Sequence, residues 1–199
     1  MLTFIAAIFF LLITPGPGVL TTAGVGSAFG RTAGIRYVTG LFIGTNLVAL
    51  AVVTGIAGIM LGIPALKKIL LILSVAYIFY LAARIALNGS KISFIESARE
   101  PGILNGIALQ AINPKAYVVN TTLFTGFGFL PGNPLLEIIY KFILINAIWI
   151  PIHILWLFAG ISLKALALSD RQQRIINLGM ATSLIIVVLL AITGLTGQS

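Results

Sequence analysis

Lys115 is the residue of this sequence whose position suggests chemistry most directly, because it interrupts a long apolar stretch. It lies about 12 residues into that stretch, which at about 1.5 Å per helical residue is roughly 18 Å along a helix. An ionisable group so deep in an apolar segment is costly and is a functional candidate. Two roles are open: its ammonium binds a carboxylate ligand, or it neutralises backbone carbonyls freed by Pro114.

His153 is the second candidate and the only histidine of the chain. It lies between Pro151 and Trp156 in another apolar stretch. Imidazole titrates near neutral pH in water, so His153 could relay protons. The alternative is a buried neutral imidazole that is hydrogen-bonded to a neighbouring helix.

Proline and glycine interrupt two of the apolar stretches at a similar depth, at Thr14-Pro15-Gly16-Pro17-Gly18 and at Asn113-Pro114-Lys115. Proline lacks a backbone donor and clashes with the preceding turn, so each helix is predicted to break there. Polar residues beside such breaks must face protein or water. The predicted substrate-binding residues are Thr14, Pro15, Gly16, Pro17, Gly18, Asn46, Asn113, Pro114 and Lys115.

The composition defines the surroundings of these residues. Of 199 residues, 59% are hydrophobic and 8% are charged, and the mean hydropathy is +1.15. Soluble domains carry roughly 25% charged residues, so a soluble globular fold is excluded. The net charge is +8, but no basic run exceeds Lys67-Lys68, which argues against nucleic-acid binding. The lack of cysteine excludes disulfides and thiolate chemistry.

The apolar stretches predict an all-α integral membrane protein with six transmembrane helices. The first is expected to be a retained span, because the first charge is Arg31 and a signal peptide has a basic start. The predicted spans cover residues 2–25, 37–62, 67–87, 103–130, 137–163 and 175–196.

Basic residues predict the orientation of these spans, since Lys and Arg concentrate on the cytoplasmic side. Eight lie in the first, third and fifth connections or at their edges, and three on the other side. Both termini are therefore expected outside. The eight are Arg31, Arg36, Arg84, Lys91, Arg99, Lys164, Arg171 and Arg174, and the three are Lys67, Lys68 and Lys141.

The six spans form a single domain, residues 1–199, with two halves of three spans at about 1–87 and 103–199, joined by a linker at 88–102. Three spans per half make the second half enter the membrane from the opposite side. Together with a break in the first span of each half, this is typical of the inverted repeats of transporters, whose paired broken helices mark the substrate site. The alternative is that the prolines only kink the helices.

Enzyme motifs are missing from the sequence. It contains no Walker loop, no His-Glu-x-x-His and no paired carboxylates, so no enzyme, cofactor or metal site is expected. The acidic residues all lie in connections or at span ends: Glu96, Glu100, Glu137 and Asp170.

Several motifs together resemble the lysine exporter and threonine/homoserine exporter (LysE/RhtB-type) family of amino-acid efflux proteins. They are the break at residues 14–18, Gly40-xxx-Gly44, the AYIFYLA stretch at 76–82, Asn113-Pro114-Lys115-Ala116 and the span containing Trp156. The resemblance implies a six-span inner-membrane exporter of small amino acids that uses the proton gradient. Many members carry an acidic residue after the second-span Gly-xxx-Gly motif, where this chain has Thr45-Asn46.

The sequence is therefore interpreted as a secondary transporter that exports a small amino acid or related zwitterion, by proton antiport if transport is coupled. Free N–H groups after Pro17 would bind the carboxylate and Lys115 would add charge. Its partners would be the substrate and the lipid bilayer, with no nucleic acid and a possible homo-oligomer. A scaffold or accessory subunit and an uncoupled permease are the alternatives.

Overall fold

The computed structural model describes residues 1–14, 16–55 and 100–165, together with single positions from 63 to 83 and from 171 to 185. Pro15, the linker 88–99 and most of the predicted third and sixth spans lie outside the described residues. Five helices are bounded within them and no strand occurs there. They are α1 (Leu2–Ile13), α2 (Pro17–Val53), α3 (Ile103–Ile112), α4 (Pro114–Thr125) and α5 (Pro134–Ala165).

The long helix α2 consists of two arms that meet at Gly30, whose φ of 81° and ψ of −166° are not helical. A positive φ of this kind suits glycine because it has no Cβ. The Tyr37 hydroxyl lies 3.0 Å from the Thr21 Oγ1, whereas a straight helix would separate these residues by about 24 Å. The chain therefore turns back at Gly30, and residues 17–29 lie beside residues 31–53.

Both predicted helix breaks are present. Helix α1 ends at Ile13 and α2 begins at Pro17, while α3 ends at Ile112 and α4 begins at Pro114. Each proline occupies the first helical turn, where its missing N–H costs no hydrogen bond. The first and fourth predicted spans are thus interrupted where their prolines lie.

Among the described residues, two helices are long and apolar enough to cross a membrane: α2 and residues Pro134–Ser162 of α5. Because α2 turns back at Gly30, its second arm provides 23 residues from 31 to 53. At about 1.5 Å per residue this arm is roughly 35 Å long, enough for a hydrocarbon core of about 30 Å.

Glycines bring α2 and α3 into backbone contact. A Cβ on Gly40 would collide with the main chain of Ile103, and one on Gly106 would collide with the main chain of Tyr37 and Leu41. Small residues at such positions let helices approach closely. Gly44 makes a similar close approach, since a Cβ there would lie 2.7 Å from that of Gln110.

A reciprocal amide pair joins the second arm of α2 to α5. The Asn46 Nδ2 donates to the Asn146 Oδ1 at 3.1 Å, and the Asn146 Nδ2 donates to the Asn46 Oδ1 at 2.9 Å. Each amide thereby supplies the donor and the acceptor that its partner requires, which suits an apolar surrounding.

An ion pair fixes the loop between α4 and α5. The Lys141 ammonium is 2.8 Å from the Glu137 carboxylate, and the lysine side chain is only 3% exposed. Glu137 also accepts hydrogen bonds from the N–H groups of Phe129 and Leu130, at 2.9 and 2.6 Å. Lys141 donates in addition to the carbonyl of Phe124 at 2.9 Å, so loop and helix ends are held together.

Candidate functional site

A cavity of about 50 Å³ lies where the two helix breaks meet. Residues from all five helices or their ends line it, so it collects the polar groups of both broken segments. No Asp or Glu occurs among the described residues that line it. Its polar or glycine lining is Thr14, Gly16, Gly18, Thr45, Gln110, Asn113, Lys115, Asn120 and His153.

Lys115 connects the two breaks. Its Nζ donates to the main-chain oxygen of Thr14 at 2.7 Å, the residue that caps the C-terminus of α1. A cation there is favourable because the C-terminal carbonyls carry partial negative charge. The carbonyl that Lys115 binds thus belongs to the first break and not to its own break at Pro114.

The lysine side chain passes directly over Gly16. A Cβ on Gly16 would lie 2.9 Å from both the Cδ and the Nζ of Lys115, so a larger residue would push the ammonium away. An ammonium carries three donors, and Thr14 accepts one of them. Lys115 therefore retains donors for a second partner in the cavity.

Two helix N-termini also point to this place. Helix α2 starts at Pro17 after Gly16, and α4 starts at Pro114 after Asn113. First-turn N–H groups of a helix have no acceptor within the helix and carry partial positive charge. With Lys115, the described lining therefore provides a positive environment that suits a carboxylate.

Buried amides hold the second break in shape. The Asn113 Oδ1 accepts from the Lys115 N–H at 3.1 Å, and the Asn113 Nδ2 donates to the Gln110 Oε1 at 3.2 Å. The Asn120 Nδ2 donates to the Ala116 carbonyl at 2.8 Å. A buried polar group without a partner would be costly. These bonds therefore stabilise the conformation that the chain adopts at the break.

His153 reaches the cavity from α5 and is 3% exposed. Its Nδ1 is 3.0 Å from the Trp149 carbonyl oxygen, so its hydrogen-bond partner is on its own helix and not on a neighbour. The imidazole stacks on the Trp149 ring, with centroids 3.6 Å apart and planes inclined by 13°. Its Nε2 faces Gly18, where a Cβ would lie 3.5 Å away.

Trp149 separates this cavity from a second one. The second cavity has a volume of about 200 Å³ and a lining that is apolar except for Thr39. Trp149 belongs to the lining of both cavities. The other residues of the second lining are Ile35, Val38, Phe42, Ile150 and Ile154.

The structure brings six of the residues singled out from the sequence into one cavity: Thr14, Gly16, Gly18, Asn113, Lys115 and His153. Pro17 and Pro114 begin the adjoining helices, and Asn46 is paired with Asn146 outside the cavity lining. Gln110 and Asn120 were not predicted as site residues. Their polar types, close to the predicted break at Asn113-Pro114, are the signal that could have found them.

Two comparisons identify related proteins. A family model described as LysE type translocator matches residues 9–195. The leucine efflux protein of Enterobacter sp. (strain 638) is 26% identical over 130 residues, which cover 63% of this chain and 62% of that protein. The match thus spans less than two thirds of the relative's length.

No solved structure matches this chain. The family model nevertheless covers nearly all of its 199 residues, including both helix breaks and every polar residue named in the cavity lining. On this basis the chain belongs to the LysE type translocator family.

Proposed function

We propose that this protein exports a small α-amino acid or related zwitterion across the cytoplasmic membrane. The observation that carries the proposal is that Lys115 and the N-termini of α2 and α4 meet at one cavity. A carboxylate is the ligand group that this combination favours. Membership in a translocator family supports transport as the use of such a site.

The carboxylate would bind the donors of the Lys115 ammonium that the Thr14 carbonyl leaves open. The cavity of about 50 Å³ is far smaller than the 300–1,000 Å³ of typical ligand pockets. Binding therefore requires the site to widen, as expected for a transporter that alternates between two sides.

Leucine is the first substrate to test. The relative whose name specifies a substrate is a leucine efflux protein, and apolar residues such as Leu12, Val19 and Ile145 line the cavity beside its polar groups. The carboxylate would remain at Lys115 while the side chain points towards Trp149.

The export assay is flux of labelled amino acids from liposomes that contain the purified protein, with and without a proton gradient. We expect leucine flux above that of protein-free liposomes, and faster flux with the gradient. No flux for any amino acid would favour a scaffold or accessory subunit. Flux that follows concentration alone would favour an uncoupled permease.

For coupling, we propose proton antiport with His153 as the titrating group, because the described cavity lining holds no carboxylate. His153→Gln should still bind leucine but lose the stimulation by the proton gradient. The measurement is leucine flux at matched leucine gradients over a range of proton gradients. Unchanged stimulation in the variant would assign coupling to another group.

We propose that the chain forms a single domain of six spans in two inverted halves, with both termini outside the cell. A homo-oligomer is part of the same proposal. The chain has no cysteine, so single cysteines at positions 93 and 199, which lie outside the described residues, can report orientation. An impermeant thiol reagent should label Ser199→Cys in intact cells and should not label Ser93→Cys. The reverse pattern would contradict the charge-based orientation.

A further inference from the structure

We propose that the Nε2 of His153 accepts a hydrogen bond from the α-ammonium of the substrate, so that the site selects ligands with a free amino group. This inference rests on the proposed amino-acid export. In this proposal His153 binds the amino group of the ligand, whereas Lys115 binds its carboxylate.

The hydrogen bond to Trp149 fixes which nitrogen can accept. A carbonyl oxygen only accepts hydrogen bonds, so the Nδ1 that lies 3.0 Å from the Trp149 oxygen must carry the proton. In the neutral imidazole the other nitrogen then carries no proton and has a free lone pair. The Nε2 of His153 is therefore an acceptor and not a donor.

The imidazole is also held in its plane. Its ring stacks on Trp149 at a centroid distance of 3.6 Å, and Trp149 itself is 2% exposed and packs against Phe42 at 5.7 Å between centroids. Because the stack and the Nδ1 bond leave the ring little freedom, the lone pair keeps one direction. Trp149 thus acts as a positioning residue for His153.

The position of this lone pair matches the shape of an amino acid. Nε2 faces Gly18, and the Lys115 ammonium crosses Gly16, two residues earlier in the chain. Both side chains line the same small cavity. A donor for a carboxylate and an acceptor for an ammonium therefore flank one short backbone segment, as a ligand with both groups on one carbon requires.

Three of the other acceptors of the described lining are already occupied. The Asn113 Oδ1 accepts from the Lys115 N–H, the Gln110 Oε1 from the Asn113 amide, and the Thr14 carbonyl from the Lys115 ammonium. Within the described part of the chain, no donor is bonded to the His153 Nε2. A buried acceptor of this kind gains most from a charged donor.

The same lone pair would take the proton in the proposed antiport. One nitrogen lone pair holds either a proton or the hydrogen bond of an ammonium, but not both. Substrate and proton would therefore occupy His153 in turn.

The experiment compares leucine with 4-methylpentanoate, which has the same carbon skeleton and carboxylate but no amino group. Affinities are measured for the parent, for His153→Phe, which keeps a ring for stacking, and for His153→Gln, which keeps an acceptor. We expect His153→Phe to weaken leucine binding roughly 10- to 100-fold with 4-methylpentanoate unchanged. His153→Gln should restore part of the difference.

A measurement on the parent protein tests the same point without a substitution. Because His153 is the only histidine, its two imidazole nitrogens give the only ring signals of that kind in ¹⁵N spectra. Leucine should shift the Nε2 signal, and 4-methylpentanoate should not. The inference would be overturned, and the proposed function would stand, if the parent bound leucine with no shift of the Nε2 signal. The same holds if His153→Phe weakened the binding of leucine and 4-methylpentanoate equally. A parent that binds no amino acid would overturn the proposed function as well.

Discussion

Lys115→Met should lower the affinity for leucine by on the order of 100-fold, because the carboxylate then loses its charged hydrogen-bond donor. A hydrogen bond to a charged group contributes about 1.5–3 kcal/mol, and breaking a buried charge pair costs about 3–5 kcal/mol. Methionine retains the length and much of the volume of the lysine stem. The measurement is equilibrium binding of labelled leucine, with thermal stability of each variant recorded in parallel.

A carboxylate role can be distinguished from the structural role that the bond to Thr14 also supports. If Lys115 binds the carboxylate, Lys115→Met should weaken the binding of leucine far more than that of leucinamide, which has an uncharged carboxamide in place of the carboxylate. If Lys115 only holds the end of α1, stability should fall and both ligands should weaken alike. Tight leucine binding by Lys115→Met would refute the carboxylate role.

Lys141 supplies the control for the loss of a buried lysine. Its side chain is 3% exposed and thus more deeply buried than that of Lys115, and it pairs with Glu137 outside the cavity lining. Lys141→Met should lower stability because it leaves the Glu137 carboxylate without its partner. It should leave the ratio of leucine to leucinamide affinity unchanged.

Gly40→Ala should cause the largest loss of stability of any single methyl addition proposed for this chain. The added Cβ would meet the backbone of Ile103, and a backbone cannot move aside as a side-chain tip can. Overpacking typically costs about 1–3 kcal/mol and occasionally more, and we expect at least about 3 kcal/mol here. Thermal unfolding in detergent, followed by helical circular dichroism, measures the effect.

A loss of stability in Gly40→Ala would be informative, because in an isolated helix the change from glycine to alanine stabilises by about 1 kcal/mol. Gly106→Ala adds a methyl group to the other side of the same contact and should destabilise similarly. Gly128→Ala is the control, since a Cβ there meets nothing within 4 Å. A Gly40→Ala protein as stable as Gly128→Ala would contradict the close contact between α2 and α3.

The helix breaks were predictable from sequence because proline acts locally on the backbone. Pro17 and Pro114 each start a helix, and the depth of Lys115 in an apolar stretch made it a candidate site residue. The partner of Lys115 was not predictable, since Thr14 lies 101 residues away in the chain and only the packing of α1 beside α4 brings them together. The tautomer of His153 was not predictable either, because it depends on the side-chain conformation that brings its Nδ1 to the Trp149 carbonyl, four residues earlier on the same helix.

Asn46 shows the opposite case. Its type and apolar surroundings suggested a ligand contact, but its amide is satisfied by Asn146. A polar residue in an apolar helix must find a partner, and sequence alone does not say whether that partner is a ligand or another helix. The turn at Gly30 lies in the predicted connection between the first two spans, but its positive φ was not predicted, because residue types alone do not reveal backbone dihedrals.

The Asn46–Asn146 pair also restricts how the two helices it joins can move. Its two reciprocal hydrogen bonds oppose sliding, because a shift of one helical turn, about 5.4 Å, would break both of them. The pair therefore fixes the register of the second arm of α2 against α5.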